Sequence, residues 1–411
     1  MTATALQQEK HLPEAIVCKW CGKSFHYLKS HISMGRCENI PESAKGLDVD
    51  EVVKMYTSAF PDEPTISRTA LAKLNEKRVE KHSGEGKVAE ISAHPGYAGT
   101  VEYKTELVAA HELLGVTIKE LGTPRGKPLQ VTVNVNTPYP EFVPEAKKNY
   151  VYGDFDLIKD IFMMLEIGIP GYLWGHAGTG KSSLPTQLCA LLNRPLIRAQ
   201  HTASMEEAHV TGQILARDGS TYFEPGLLAL AMKNGWVYLA DEYDFAFPQI
   251  LGVYQPVLEG EPLIIKEATA DWRRITPHKR FAFIGTGNTN GSGDETGLYQ
   301  GTNIQNAANF SRFGIVSNVK YMSTKAEVNM LAEAGVIREY AEKMVKFANL
   351  IREGYEKHQI SQPIGPRELL LSAKIGMMRG DFSAGIEKSF INKLPSTSAQ
   401  AAREVVQKIF G

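Results

Sequence analysis

From residue 150 onward, short apolar runs alternate with longer amphipathic ones, the rhythm of a mainly parallel sheet flanked by helices. Strands are predicted near 171–175, 196–200, 236–240, 280–285 and 315–320, with a helix over 184–192. Sheets of this kind place their ligand at the carboxyl ends of the strands. The stretches 213–217 and 220–223, joined by Asp218-Gly219, carry the turn chemistry of a β-hairpin and interrupt the strand–helix rhythm. After Ser323 the spacing is helical to the end. Thr324 is placed to cap a helix over 325–334 that Gly335 stops, and a longer helix covers 337–357. Pro366 fits the first turn of another helix, and 399–410 closes the pattern.

Upstream the pattern is weaker. Val52, Val53, Met55 and Tyr56 give residues 45–71 a helical spacing that Pro61-Asp62-Glu63-Pro64 stops, and the charged stretch 72–89 ends in Ser83-Gly84-Glu85-Gly86, a linker composition. Strict alternation over 130–136 predicts a half-buried strand, after which Pro138, Pro140 and Pro144 mark an extended lead-in to the α/β region.

Composition narrows the classes. A chain of 411 residues can bury several cores, and a net charge of −1 with 22% charged residues gives no global attraction to nucleic acid or membrane. No apolar run approaches the ~18 residues of a membrane span, and residues 1–13 are polar, so a cytoplasmic protein is the expectation.

Specific chemistry enters at residues 175–182. Gly175-His176-Ala177-Gly178-Thr179-Gly180-Lys181-Ser182 follows a predicted strand and precedes a predicted helix, the setting in which a G-x-x-x-x-G-K-[ST] loop grips phosphate. The glycines let successive backbone N–H groups, through Ser183, converge on phosphate oxygens, while Lys181 reaches the β- and γ-phosphates and the Ser182 hydroxyl ligates Mg²⁺. ATP or GTP is the expected ligand.

The strand over 236–240 ends in Asp241-Glu242. Such a pair read alone also fits a helix cap, but behind a phosphate loop Asp241 is expected to hold the Mg²⁺ shell and Glu242 to orient and deprotonate the attacking water. A third strand runs into Thr286-Gly287-Asn288, which puts Asn288 beside the γ-phosphate and the water; the alternative is a residue that tolerates a left-handed turn. The glycines nearby (Gly285, Gly287, Gly291, Gly293, Gly297) form no G-x-G-x-x-G, which excludes a dinucleotide site.

Three of the four cysteines fall within twenty residues, Cys18, Cys21 and Cys37, with His26 and His31 between them. In a reducing compartment this spacing reads as a structural Zn²⁺ clip, with Cys18, Cys21, His31 and Cys37 as ligands and His26 as the competing histidine. Lys19, Lys23, Lys29 and Arg36 lie in the same segment with Trp20, Phe25 and Tyr27. That mixture suits nucleic-acid or protein docking, or a solvated basic face over a tiny core. Cys189 reads as core packing.

Residues from about 145 to 411 resemble an AAA+ ATPase of the MoxR group and, within it, the ATPase subunits of aerobic cobaltochelatases. The resemblance rests on the phosphate loop, Asp241-Glu242-Tyr243-Asp244, 285–289, Gly293-Asp294-Glu295-Thr296-Gly297-Leu298-Tyr299-Gln300-Gly301-Thr302, Ser311-Arg312-Phe313 and Pro366-Arg367. The run 293–302 is the most family-specific of these. The resemblance implies an AAA+ P-loop α/β domain with an all-α lid, assembled into a homo-oligomeric ring, commonly of six subunits, with ATP at each interface. Arg312 would then reach the neighbour's γ-phosphate, and Arg367, opening a lid helix, would be a second sensor. It further implies that the hairpin at 213–223 touches clients and that the basic stretch 272–280 lies in a second insert, the alternative there being a solvated charge run.

A separate von Willebrand-type partner is implied too, since this chain has no metal-ion-dependent adhesion motif, as is a large chelatase subunit. The implied function is ATP-driven cobalt insertion into a corrin ring. The other function in view is a MoxR-type chaperone whose N-terminal finger selects a protein or nucleic-acid-associated client. Pro185 departs from the family and is expected to bend the first turn of its helix. These readings divide the chain into a zinc-finger-like module (1–45), a linker and small accessory region (46–140), an AAA+ nucleotide-binding domain (141–322) and a helical lid (323–411).

Overall fold

The computed structural model describes residues 14–33, 36–45, 47–61, 63–67, 69–70, 101–217 and 219–411, in two units, 1–91 and 92–411. The polar start at 1–13, the charged stretch 72–89 with the linker expected at its end, and Asp218 of the hairpin turn lie outside the described residues.

In the first unit an antiparallel ribbon, β1 (Ile16–Val17) with β2 (Ser24–Phe25), is followed by α1 (Leu28–Ser33) and α2 (Val49–Ala59). Ile16, Phe25, Leu28 and Ile32 share one small core with Val52 and Tyr56. The core therefore runs past residue 45, where the sequence division ends the module, because α2 supplies apolar surface that so short a ribbon lacks. Tyr56 ties the two parts: its hydroxyl accepts the Lys19 N–H at 3.0 Å, and the Trp20 ring meets it edge-on at 4.8 Å.

The second unit opens with β3 (Thr105–Ala109) paired antiparallel to β4 (Gln130–Asn134). Its centre is a parallel five-stranded sheet in the order β13 (Ile315–Asn318), β5 (Gly171–Trp174), β12 (Ala282–Gly287), β9 (Val237–Asp241), β6 (Leu196–Gln200). Both faces are covered, which is why the strands read as apolar runs. Leu173, Leu239 and Ile284 face α3 (Phe155–Ile167) and α4 (Ser183–Leu191). Tyr172, Tyr238 and Phe283 face α5 (Leu227–Asn234). Register aligns the functional ends, with Gly287 opposite Trp174 and Gly285 opposite Ala240, so the segments after β5, β9 and β12 leave the sheet side by side.

Pro185 is the third residue of α4. The Leu184 and Thr186 N–H groups still reach Gly180 O (2.9 Å) and Ser182 O (3.3 Å), so the turn continues through the proline instead of bending away. A first-turn position has no intrahelical N–H bond to lose.

The hairpin is β7 (Gly212–Arg217) with β8 (Ser220–Pro225), and a second ribbon pairs β10 (Leu263–Ile264) with β11 (Arg274–Ile275). In the basic stretch Trp272 is buried and His278 donates from Nε2 to Val101 O at 3.0 Å, while Arg273, Arg274 and Lys279 are exposed, so only part of it is a solvated run. The C-terminal residues form five helices, α6 (Thr324–Glu333), α7 (Arg338–Glu356), α8 (Pro366–Arg379), α9 (Phe382–Ser389) and α10 (Ser396–Phe410), around Leu331, Phe347, Leu369 and Phe390. Ser323, not Thr324, caps α6, its side chain accepting the Ala326 N–H. No helix among the described residues is long and apolar enough to cross a membrane.

Candidate active site

The phosphate loop leaves β5 at Gly175 and enters α4 at Ser183. Gly178 (φ 80°) and Gly180 (φ 102°) sit in the left-handed region, open to glycine at little cost. Lys181 Nζ donates to Gly175 O (2.7 Å), His176 O (2.8 Å) and Asn288 Oδ1 (3.1 Å), which joins the loop to the end of β12. Burial lowers the Lys181 pKa to about 8, against the opposing pull of Asp244, Asp241 and Glu242. A desolvated ammonium gains from an anion brought against it.

Asp241 is buried at the tip of β9. Its Oδ1 accepts the Ser182 hydroxyl at 2.5 Å and the Thr286 hydroxyl, and its Oδ2 accepts Arg198 Nε at 2.7 Å. Burial alone would raise its pKa, but these three donors outweigh it and hold the carboxyl below its usual range. The Ser182 and Asp241 oxygens form a hard-donor pair of the kind Mg²⁺ takes.

Glu242 has φ 53°, a conformation that costs a non-glycine residue energy and that persists where surrounding structure imposes it. Its carboxylate accepts the Gln200 side-chain amide. Burial and the charges of Asp241 and Asp244 raise its pKa, which makes it a stronger base than an ordinary glutamate. Asp244, fully buried, accepts the N–H groups of Asn288 (2.8 Å) and Thr289 (2.9 Å) and the Thr289 hydroxyl (3.0 Å), fixing the backbone that presents Asn288. Gly287 permits this approach, since a Cβ there would lie 1.9 Å from the Tyr172 hydroxyl.

Of the two arginines, Arg367 borders the loop: a Cβ on Gly178 would lie 3.3 Å from the Arg367 Cβ, and the Arg367 charge acts to lower the Lys181 pKa. Arg312 is not brought to it. Among the described residues it donates to Glu259 Oε1 at 2.8 Å and to Ala308 O.

Sequence reasoning missed Arg198, Gln200 and Thr286. Arg198 and Gln200 alternate on β6, and the register sets Gln200 opposite Asp241. Polar residues at every second position of a strand beside the acid-bearing one were the available signal.

In the N-terminal unit the ligand atoms of Cys18, Cys21, His31 and Cys37 all lie within 4.8 Å of one another, with Cys21 Sγ 3.3 Å from His31 Nε2 and Cys18 Sγ 3.8 Å from Cys37 Sγ. His26 turns elsewhere, its Nδ1 3.0 Å from the Ser67 hydroxyl. Burial, aided by Arg36 and Lys23, lowers the His31 pKa and keeps the imidazole neutral, the form that ligates a metal. Burial and the neighbouring thiols push Cys37 up to about 12. Three sulfurs and one nitrogen make a soft donor set suited to Zn²⁺. Cys189 is fully buried and its thiol is likewise pushed up to about 12.

Comparison with known proteins adds to this geometry. The AAA domain family, dynein-related subfamily, matches residues 172–302. The chain is 32% identical over 249 residues to the aerobic cobaltochelatase subunit CobS of Sinorhizobium sp, covering 58% of this chain and 74% of that protein. It is 23% identical to an uncharacterised protein of Staphylococcus aureus (strain NCTC 8325 / PS 47), over 62% of this chain and 96% of the other. Among solved structures, a putative ATPase from Cytophaga hutchinsonii aligns over 66% of this chain and 92% of its own, at 12% identity and a TM-score of 0.34, too loose a match to carry an argument.

Proposed function

The chain belongs to the AAA+ ATPases related to the cobaltochelatase subunit CobS, and we propose that it couples its ATP hydrolysis to cobalt insertion into a corrin ring, as the motor subunit of a cytoplasmic chelatase complex. The observation that carries this reading is the 32% identity to CobS across 74% of that protein, by a chain whose phosphate loop, strand-tip acids and Asn288 meet at one edge of the sheet.

In the proposed mechanism the N–H groups of 178–183 and the Lys181 ammonium bind the β- and γ-phosphates. Ser182 and Asp241 would hold Mg²⁺, which supplies positive charge to the phosphate oxygens. Glu242 leaves Gln200, takes a proton from a water that Asn288 helps orient, and that water's oxygen bonds to the γ-phosphorus as the bond to the bridging oxygen of ADP breaks. Arg312, whose partner in its own chain is Glu259, is assigned to the γ-phosphate of a neighbouring copy in a ring, commonly of six. Arg367, beside the loop, is assigned as the second sensor on a C-terminal lid. The cysteine–histidine cluster is assigned a structural Zn²⁺ in a zinc-finger-like module.

Reconstitution tests the assignment. The chain mixed with a large chelatase subunit, a von Willebrand-type subunit, a corrin acceptor, Co²⁺ and ATP is expected to insert cobalt, and Glu242→Gln to stop it. ATP turnover without any insertion in the complete mixture would sink the chelatase role and leave the ATPase standing.

The N-terminal unit favours a second reading, a MoxR-type chaperone whose client is chosen there. Lys19 and Lys23 are paired with Glu63 (2.8 Å) and Glu38, which takes positive charge away from nucleic-acid binding and leaves a protein client as the better fit.

A further inference from the structure

The run 293–302 has no part in the hydrolysis above, yet its tyrosine touches the phosphate loop. The Ala177 N–H donates to the Tyr299 hydroxyl at 3.1 Å, and that hydroxyl lies 2.9 Å from His176 Nδ1. Because the oxygen already accepts from Ala177, its own proton is free to go to Nδ1, which leaves the imidazole proton on Nε2.

Tyr299 is itself held in place. Its N–H donates to Asp294 Oδ2 at 2.7 Å, while Asp294 Oδ1 accepts from Thr296. A few residues on, the Asn303 N–H donates to Asp244 O at 2.7 Å, tying the same loop to the acid-bearing segment.

The other side of His176 leads to the C-terminal helices. Its ring lies parallel to Tyr321 (centroids 5.7 Å, 3°) and edge-on to Tyr355 (5.8 Å). Arg352 sits over the Tyr321 ring at 4.0 Å and is locked by both Glu327 oxygens at 2.8 Å and by Ile364 O at 3.0 Å. Ile364 precedes the residues that open α8, where a Cβ on Gly365 would lie 2.7 Å from Ala177 O.

The carbonyl of His176 matters to the site directly. It accepts Lys181 Nζ at 2.8 Å and the Thr179 hydroxyl at 2.9 Å, so a shift of the 176–177 peptide moves the lysine.

We propose that Tyr299 is a positioning residue for ATP: its hydroxyl fixes the 176–177 peptide, which sets Lys181, and His176 ties that peptide to the C-terminal helices. Tyr299 acts through the loop and touches no phosphate. The inference rests on Lys181 being the phosphate-binding lysine. Its effect belongs in ATP binding, because the loop is shaped before chemistry begins.

Steady-state hydrolysis by the full chain, with melting of the nucleotide-free protein alongside, tests it. Tyr299→Phe removes the hydroxyl and keeps the ring; the expected result is a KM for ATP about fivefold higher, the scale of one lost hydrogen bond, with kcat within about twofold. His176→Phe keeps the stack on Tyr321 and removes Nδ1, and is expected to raise KM in the same direction. The double variant should be little worse than either single one, because the two residues act as a unit. If Tyr299→Phe does not fold, His176→Phe carries the expectation alone. A KM within about twofold of the parent in both single variants overturns the proposal, as does a double variant whose effects multiply. Lys181→Ala separates the premise: loss of ATP binding there with unchanged KM in Tyr299→Phe sinks the Tyr299 tie and spares the lysine.

Discussion

Asp241 in the nucleotide domain and Cys37 in the N-terminal unit are both buried ionisable side chains, and their surroundings push them opposite ways. Around Asp241 the protein supplies the compensation itself: Ser182, Thr286 and Arg198 donate to the carboxylate and hold its pKa down. Around Cys37 the nearest groups add to the cost. Burial and two further thiols push it up to about 12. The first site stands on a sheet with packed apolar layers on both faces, the second on a small core that includes Ile16, Phe25, Leu28, Ile32, Val52 and Tyr56. A large core can hold a strand-tip acid and still gain from its burial. A small one, on the zinc reading proposed for this unit, is completed by the cation.

The largest effect expected breaks the first half of this comparison. Lys181→Ala should abolish ATP binding and with it turnover, whereas Glu242→Gln should leave ATP bound and lower kcat by about 10²–10⁴-fold, the share of a positioned general base. Nucleotide binding measured beside single-turnover hydrolysis separates the two. Unchanged affinity and turnover in Lys181→Ala would remove the phosphate-gripping role from the loop.

Metal removal comes next and addresses the second half. The purified chain is expected to carry about one Zn²⁺, and a strong chelator to unfold the N-terminal unit, since structural zinc of this type contributes about 10–16 kcal/mol of apparent binding energy. Thiol titration reads this out by residue. Cys18, Cys21 and Cys37 should become reactive on chelation, while Cys189, fully buried with its thiol pushed up to about 12, should react only in denaturant. ATP turnover that survives zinc removal, measured after the chelator is dialysed away and Mg²⁺ restored, would show that the two sites rest on separate supports; turnover that stays lost with Mg²⁺ restored would break the contrast.

How far the sequence revealed these sites follows from how local each signal is. The phosphate loop, the Asp241-Glu242 pair and Asn288 are contiguous runs at strand ends, and five predicted strands lie within a few residues of the observed ones. Arg198 and Gln200 were hidden because a polar position on an edge strand looks like a solvent face until the register beside β9 is known. Tyr299 meets the loop across 122 positions of sequence, a contact that no spacing encodes. Spacing favoured His31 over the competing His26 but could not show where either ring points: α1 carries His31 Nε2 to Cys21, while His26 faces Ser67. The extension of the small core to Val52 and Tyr56 was hidden for the same reason, since helical spacing shows an apolar face but not what covers it.

The smallest effect sharpens the contrast by asking how the large core treats an uncompensated base. His201 is fully buried under the acid-bearing strand, its Nδ1 directed at Ala199 O (3.0 Å) and Asp241 O (3.2 Å) and its Nε2 at the Tyr254 hydroxyl (2.8 Å). Burial pushes its pKa down to about 4, only partly opposed by those carbonyls and the Asp241 charge. A histidine whose folded pKa lies below its unfolded value of about 6.5 gives its full stability above pH 6.5 and loses it as the pH falls toward 4, because the unfolded chain takes up the proton first. The total is about 3 kcal/mol, and roughly 2 kcal/mol of it should be gone at pH 5. Denaturant unfolding of the second unit at pH 7 and pH 5 measures it, with His201→Gln as control. His176 and His278 are also lowered by burial, so the control should flatten the acid limb without erasing it. Parallel limbs in parent and variant would show that the histidine under Asp241 is not what acid attacks, and that the large core, like the small one, yields at its charged ligands instead.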